Sequence, residues 1–317
     1  VSLRVLAAGP LTTVQDLGRH GWRHLGVAQA GALDPDAAAL ANRLVGNAAG
    51  DAVLEFTLHG PTLAIDRTSR VAICGADVDA AFRPAGGETI ALATRRPIAL
   101  PPGELMLGPV RGGARAWLAI DGGIDVPVVL DSRSTDLRGG FGGCNGRALQ
   151  RGDELPLGTA RQHDATAVQL PAWWVDPDAD EPREAPIRYV ASLHPASGAL
   201  ARGAWRVDAR SNRQGLRLAG TALAADAPDG VSAPVAPGTV QLPPDGQPIV
   251  LLADAQTVGG YPRLGHVASA DLPRLAQCRP GDALRFTPID ADAAHALLLA
   301  RRHRHARAAL AAAQRSR

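Results

Sequence analysis

Short apolar runs broken by glycine and proline set the pattern of this 317-residue chain. Val53 to Leu58, Arg70 to Ile73, Ala116 to Ile120, Ile187 to Val190, Pro248 to Ala253 and Ala283 to Thr287 each have the length of a strand. Turn signals separate such runs: Gly86-Gly87, Pro101-Pro102-Gly103, Gly112-Gly113 and Asp245-Gly246. Many short strands with frequent turns predict a barrel or sandwich. Helices are few. Asp34-Pro35 reads as an acidic N-cap followed by proline at the first helical position. Leu40, Ala41, Leu44 and Val45 then share one face, and Gly46 is a stop. A second short helix is predicted from Ser269 or Asp271 to a point before Pro280-Gly281. The Ala- and Arg-rich tail from Asp292 to Arg317 is predicted to be a basic, solvated helix. Between the two runs of strands, Trp173 to Pro186 is acidic and proline-rich and reads as a linker. DSRS at Asp131 to Ser134 returns as DARS at Asp208 to Ser211, a faint echo that suits duplication of one barrel.

Composition narrows the chemistry. Aromatic residues are only 3% of the chain, so aliphatic side chains must fill the core. The formal net charge of +2 gives no electrostatic footprint for nucleic acid. All 33 basic residues are arginine. The lack of lysine excludes Schiff-base catalysis and a lysine-bearing phosphate loop. Cys74, Cys144 and Cys278 are odd in number, far apart and without a CxxC pair, which argues against a disulfide framework or a zinc site and for a reducing cytosol. No apolar run nears the roughly 18 residues of a membrane span. The N-terminal segment does not resemble a signal peptide, so a soluble, cytoplasmic protein is expected.

Candidate site residues gather in three stretches. TTVQDLGR brings Gln15, Asp16 and Arg19 beside a strand. LLADAQTVGGYPR brings Asp254, Gln256, Thr257, Tyr261 and Arg263, with Gly259-Gly260 permitting close backbone approach. SRSTDLRGGFGG joins Arg133, Ser134, Thr135 and Arg138 to a loop in which Gly139, Gly140, Gly142 and Gly143 free the amides to form an anion nest. Either arginine could clamp a carboxylate in a bidentate fork. The same loop reads equally well as a barrel-closing bulge. Cys144 has no paired histidine to activate it. His20 and His24 have the spacing of a metal pair but no third ligand, and no metal is expected. His194 and His266 are isolated and read as structural. Glu55, within a strand pattern, needs a partner such as an arginine if it faces the core.

GPLTTVQDLGRHGWRHLGVAQAGALDPDAAALANRLVGN (Gly9 to Asn47), LEFTLHGPTL (Leu54 to Leu63), AIDGGIDVPVVLDSRSTDLRGGFGG (Ala119 to Gly143), GRALQRGD (Gly146 to Asp153) and Gln241 to Asp282 together resemble the family of the 5-oxoprolinase C subunit, KipA and allophanate hydrolase subunit 2-type carboxyltransferase proteins. The resemblance implies a mainly β chain. It comprises two cyclophilin-like β-barrel domains, residues 1–172 and 187–290, joined by a linker over 173–186, with a few short helices and a C-terminal helix over 291–317. It implies a B-subunit or KipI-type partner and a third subunit, with which the complex cleaves 5-oxoproline to glutamate using ATP that a partner could hold. Gln15, Asp16, Gln256, Tyr261 and Arg263 are then the expected catalytic set. Arg19, Arg133, Ser134, Thr135, Arg138 and the four loop glycines are the expected substrate and anion site. Two alternatives come with the family. One is the carboxyltransferase part of a urea-type carboxylase, which uses biotin; the other is a regulator that binds an inhibitor of a sporulation kinase. The chain departs from the family pattern at Asp131, where glycine is expected, and at Asn145. LHPAS at Leu193 to Ser197 replaces a glycine-proline signature. Arg263 stands where lysine is common, and an arginine stabilises charge but does not pass protons.

Overall fold

The computed structural model describes residues 2–159, 165–182, 184–224 and 232–315. The chain is mainly β, with barrel-like sheets, and divides into two compact units. The first holds Val1–Arg19, Ala30–Ala179 and His305–Arg317, and the second holds His20–Gln29 and Asp180–Arg304. The change from one to the other at Ala179–Asp180 falls within the acidic stretch 173–186. Part of that stretch packs on the first unit. Asp176 pairs with Arg95 at 3.1 Å, and the Val175 amide donates to the Arg95 carbonyl.

The first unit is a nine-stranded sheet: β1 (Ser2–Ala7), β2 (Thr12–Gln15), β3 (Val53–Thr57), β4 (Thr62–Ile65), β5 (Ser69–Pro84), β6 (Ile90–Leu92), β7 (Ile98–Leu100), β8 (Gly103–Ile120) and β9 (Glu154–Pro156). Strand β8 organises it. Its first half pairs with β4 (Thr62 opposite Met106), and its second half pairs with β3 (Leu54 opposite Leu118). Along its other edge it pairs with β5, whose register slips after Gly75 and Val78 and bends the sheet. The inward face is aliphatic, with Leu3, Val14, Leu54, Leu63, Ile73, Ile98, Leu105 and Leu118 all buried. Phe56 and Phe82 are the only phenylalanines in that core, as the scarcity of aromatics requires.

Helix α1 (Pro35–Val45) begins and ends where its signals predict. Asp34 Oδ1 accepts from the Ala37 amide at 3.0 Å, Pro35 opens the first turn and Gly46 closes it at φ 90°. The buried acid Glu55 explains how its leading segment is attached. Its Oε2 accepts from Trp117 Nε1 at 2.9 Å and from the Leu33 amide at 2.8 Å.

The second unit is an eight-stranded sheet: β10 (Ile187–Ala191), β11 (Trp205–Val207), β12 (Gly215–Ala219), β14 (Thr239–Gln241), β15 (Ile249–Leu251), β17 (Arg263–Val267), β18 (Ala283–Leu284) and β19 (Phe286–Ile289). A separate small ladder pairs β13 (Ala233–Pro234) with β16 (Val258–Gly259). Strand β10 runs antiparallel to β17 and parallel to β19. Tyr189 packs edge-on to Phe286, with its hydroxyl donating to the Ser197 carbonyl at 2.8 Å. The helical segment predicted near Ser269 is a 3-10 turn, Ser269–Asp271, continued as α3 (Leu272–Ala276). Its Asp271 is buried and takes a fork from Arg188. Helix α2 (Ser197–Arg202) has no side-chain cap, and no cap signal announces it. The tail forms α4 (Ala291–Arg315). No described helix is long and apolar enough to cross a membrane.

Candidate functional site

The predicted residues fall into one cluster in each unit. In the first, β2 pairs with β3 on one edge. Its other edge is covered by the chain from Ser132 to Leu149. The Thr135 amide donates to the Val14 carbonyl at 2.9 Å and the Leu149 amide to the Thr12 carbonyl at 2.8 Å. This docking places Gln15, Asp16, Arg19, Ser134 and Thr135 together.

Asp16 is the hub of that cluster. Its carboxylate accepts from Ser132 Oγ (2.6 Å), Ser134 Oγ (2.5 Å), the Arg133 amide (2.5 Å) and the Gly18 amide (2.8 Å). Gln15 is fully buried. Its Nε2 donates to Thr13 Oγ1 at 3.0 Å and to the Thr135 carbonyl at 3.3 Å, while its Oε1 has no donor. Arg19 is fully buried as well. It donates to the Val129 and Ser134 carbonyls and lies 4.7 Å from the centre of the Phe141 ring. Gly142, at φ 71°, is required here because a Cβ would overlap the Arg19 guanidinium and the Ser134 carbonyl. Upstream, Leu130 and Asp131 sit at φ 53° and 60° between the paired Val129 and Ser132. A glycine at position 131 would suit that backbone, which is the physical sense of the departure there.

Two expectations about this cluster are corrected by the geometry. Arg133 does not present an open fork, because its Nη2 pairs with Asp125 at 2.7 Å and its Nε donates to the Val126 carbonyl at 2.9 Å. The glycine loop does not present an open nest. The Gly139 amide donates to Asp136 Oδ1, the Gly140 and Phe141 amides to the Asp136 carbonyl, and the Gly143 amide to the Arg133 carbonyl. Most of the run's amides are thus turned inward, and the chain that carries it covers β2. Arg138 is exposed beside it, its backbone amide bound to Asp136. Cys144 is no activated nucleophile either. Burial and the neighbouring Asp153 raise its thiol above the ordinary value.

The second unit carries a pocket of about 220 Å³ lined by Ser192, His194, Ala233, Gly259, Gly260, Tyr261, Pro262 and Arg263. It thus unites Tyr261 and Arg263, as the sequence suggests, and adds His194 and Ser192. The sequence pattern gave His194 a structural role and left Ser192 unmarked. One hydroxyl couples the two sides. Ser192 Oγ donates to the Arg263 carbonyl at 2.6 Å and accepts from the His194 amide at 3.1 Å. Gln256 stands behind the GGYPR turn, where its Nε2 donates to Gln241 Oε1 at 3.2 Å. Gln241 is buried, opposes Arg263 in the β14–β17 ladder, and underlies Gly259 so closely that a Cβ there would strike its amide. Asp254 is not available to a ligand. It is buried in a two-bond fork with Arg213, at 2.9 Å for each bond, which fixes the loop from below. Arg23 braces the same loop by donating to the Val235 and Gln256 carbonyls. His24 Nδ1 meets the Gly21 carbonyl at 2.8 Å. Among the described residues no three His, Cys, Asp or Glu side chains are grouped to hold a metal.

The family model for the carboxyltransferase domain, subdomain A and B, matches residues 25–288. The chain belongs to that family. It is 39% identical to the 5-oxoprolinase C subunit of Escherichia coli (strain K12), over 90% of each chain. Against the 5-oxoprolinase C subunit of Haemophilus influenzae it is 34% identical, over 87% of this chain and 88% of that one. The crystal structure of Kluyveromyces lactis urea amidolyase superposes with a TM-score of 0.83 at 29% identity. That match covers 96% of this chain, which spans only 20% of the amidolyase.

Proposed function

We propose that this chain is the C subunit of a heteromeric, ATP-dependent 5-oxoprolinase that opens 5-oxo-L-proline to L-glutamate. The observation that carries this reading is the correspondence with a protein of that name over nine-tenths of both chains. The second unit's pocket supplies a fitting chemistry. Its polar lining is Arg263, His194, Tyr261 and Ser192, and no aspartate or glutamate lines it among the described residues. A small carboxylate is favoured there by the guanidinium. We therefore assign the substrate's carboxylate to Arg263 and leave Gln256 to hold the turn through Gln241. Gln15, Asp16, Arg19, Ser134 and Thr135 brace one another, and we assign them to shaping the first unit's loop.

A lactam is a poor electrophile, and ATP activates such a bond by phosphorylating its oxygen. The chain's own residues do not fit the nucleotide. The glycine-rich loop spends the amides of Gly139, Gly140, Phe141 and Gly143 on Asp136 and Arg133, and there is no lysine to reach a phosphate. The nucleotide belongs, in this reading, to a B-subunit or KipI-type partner or to the third subunit. This chain binds and orients the ring.

A urea-type carboxyl transfer is the second reading, favoured by the superposition with urea amidolyase. The same donors would then face carboxybiotin or bicarbonate. Co-expression with the two partner subunits, followed by glutamate assay, separates the two. The first reading predicts glutamate from 5-oxoproline only when ATP is present. No glutamate from the intact complex, together with ATP turnover that depends on urea and bicarbonate in the presence of a biotin carrier, would replace it with the second.

A further inference from the structure

His194 follows β10 at the edge of the pocket, and its hydrogen bonding fixes what its ring can do. The Ala196 amide donates to His194 Nδ1 at 3.1 Å. A nitrogen that accepts from an N–H carries no proton, so the ring's proton sits on Nε2. The basic nitrogen is thereby occupied, and His194 is unsuited to act as a general base. What remains is one neutral donor, Nε2–H, on a residue that lines the pocket, and no described group accepts from it.

The placement is over-determined by the backbone. Ser192 Oγ ties the His194 amide to the Arg263 carbonyl, and the Ser192 amide donates to the Leu264 carbonyl at 3.1 Å. His194 and Arg263 are therefore held on facing segments by one residue, although 69 positions separate them in sequence. The pocket then offers two kinds of donor. The guanidinium of Arg263 donates from Nη1 to the Pro234 carbonyl at 3.4 Å, and among the described residues its Nε and Nη2 remain as a charged fork that matches a carboxylate. The imidazole N–H is neutral and single, and matches a neutral carbonyl oxygen. 5-Oxoproline carries one of each on a single small ring.

We infer that His194 is a substrate-binding residue of the second unit's pocket, donating from Nε2 to the lactam oxygen while Arg263 takes the carboxylate. The inference rests on the 5-oxoprolinase reading of this site. No proton leaves the imidazole. The hydrogen bond draws density onto the oxygen and strengthens as that oxygen gains negative charge.

Calorimetric titration of the full chain with two probes tests this directly. One probe is 5-oxo-L-proline. The other is cyclopentanecarboxylate, which keeps the ring and carboxylate but has no lactam. Arg263→Ala is expected to weaken both. His194→Ala is expected to weaken 5-oxoproline about tenfold, the scale of one hydrogen bond, and to leave cyclopentanecarboxylate within about twofold. His194→Gln, which carries an amide N–H₂ near the position of Nε2, should recover most of the loss. Melting temperatures of the variants show whether the fold is kept. Equal effects of His194→Ala on both probes, or none on either, would overturn the assignment, as would a wild-type chain that binds neither probe. Selective loss in binding alongside a complex that releases no glutamate would uphold His194 and remove the 5-oxoprolinase reading alone.

Discussion

Asp153 is held by close donors on both of its carboxylate oxygens. Arg147 forks onto its carboxylate at 2.7 Å for each bond, and the Gln150 amide adds a third donor at 2.8 Å. These contacts, the arginine foremost, hold its pKa down to about 2. A folded-state value below that of the unfolded chain adds stability that is complete above about pH 4 and lost as pH falls toward 2. Urea unfolding midpoints should therefore drop between pH 4 and pH 2 in the wild type, and the drop should be shallower in Asp153→Asn. Parallel curves would show that the clip is silent. Other residues were legible only in part. The placement of Tyr261 and Arg263 at a pocket could be read from GGYPR, since two glycines before a polar pair mark a place of close approach. The placement of His194 could not, because it depends on Ser192 and Arg263, and Arg263 folds beside it from 69 residues away. Arg133 misled for the complementary reason. Its partner Asp125 lies only eight residues upstream, but sequence does not say which of several nearby acids an arginine will choose.

At the scale of elements, local signals decided the outcome wherever a cap or a turn residue was present. Helix α1 has its acidic cap, its proline and its terminal glycine, and its bounds follow from them. Asp34→Ala removes the bond to the Ala37 amide, and a loss of about 1 kcal/mol is expected in urea titration. A loss under a few tenths would mean that the Glu55 tether, through the Leu33 amide, fixes the helix by itself. The glycine-rich loop shows the limit of such signals. Four glycines permit either an outward nest or an inward turn, and composition is the same for both. The choice was made by Asp136, whose carboxylate and carbonyl collect the four successive amides from Arg138 to Phe141, and by the need to cover the free edge of β2. Strand order was illegible for a similar reason. Strand β8 pairs with three others, and that arrangement depends on contacts far apart in the chain.

For the whole molecule, the abundance of short apolar runs was enough to predict a mainly β chain with barrel-like sheets, and the tail's composition was enough to predict α4. The division into units was less plain, because His20–Gln29 belongs with the second unit while its neighbour Arg19 is buried in the first. That segment is held there through Arg23, which donates to carbonyls of the Val235 and Gln256 loops. In the proposed function substrate sits in the second unit's pocket and not on the arginines of the glycine loop. The reconstituted complex tests it most directly through the rate of ATP-dependent glutamate release by two variants. Arg263→Ala should cost about 100-fold in kcat/KM, the scale of a lost charged anchor, whereas Arg133→Ala, whose guanidinium is bound to Asp125 and Val126, should stay within about threefold. The reverse ranking, with Arg133→Ala crippled and Arg263→Ala intact, would contradict the account.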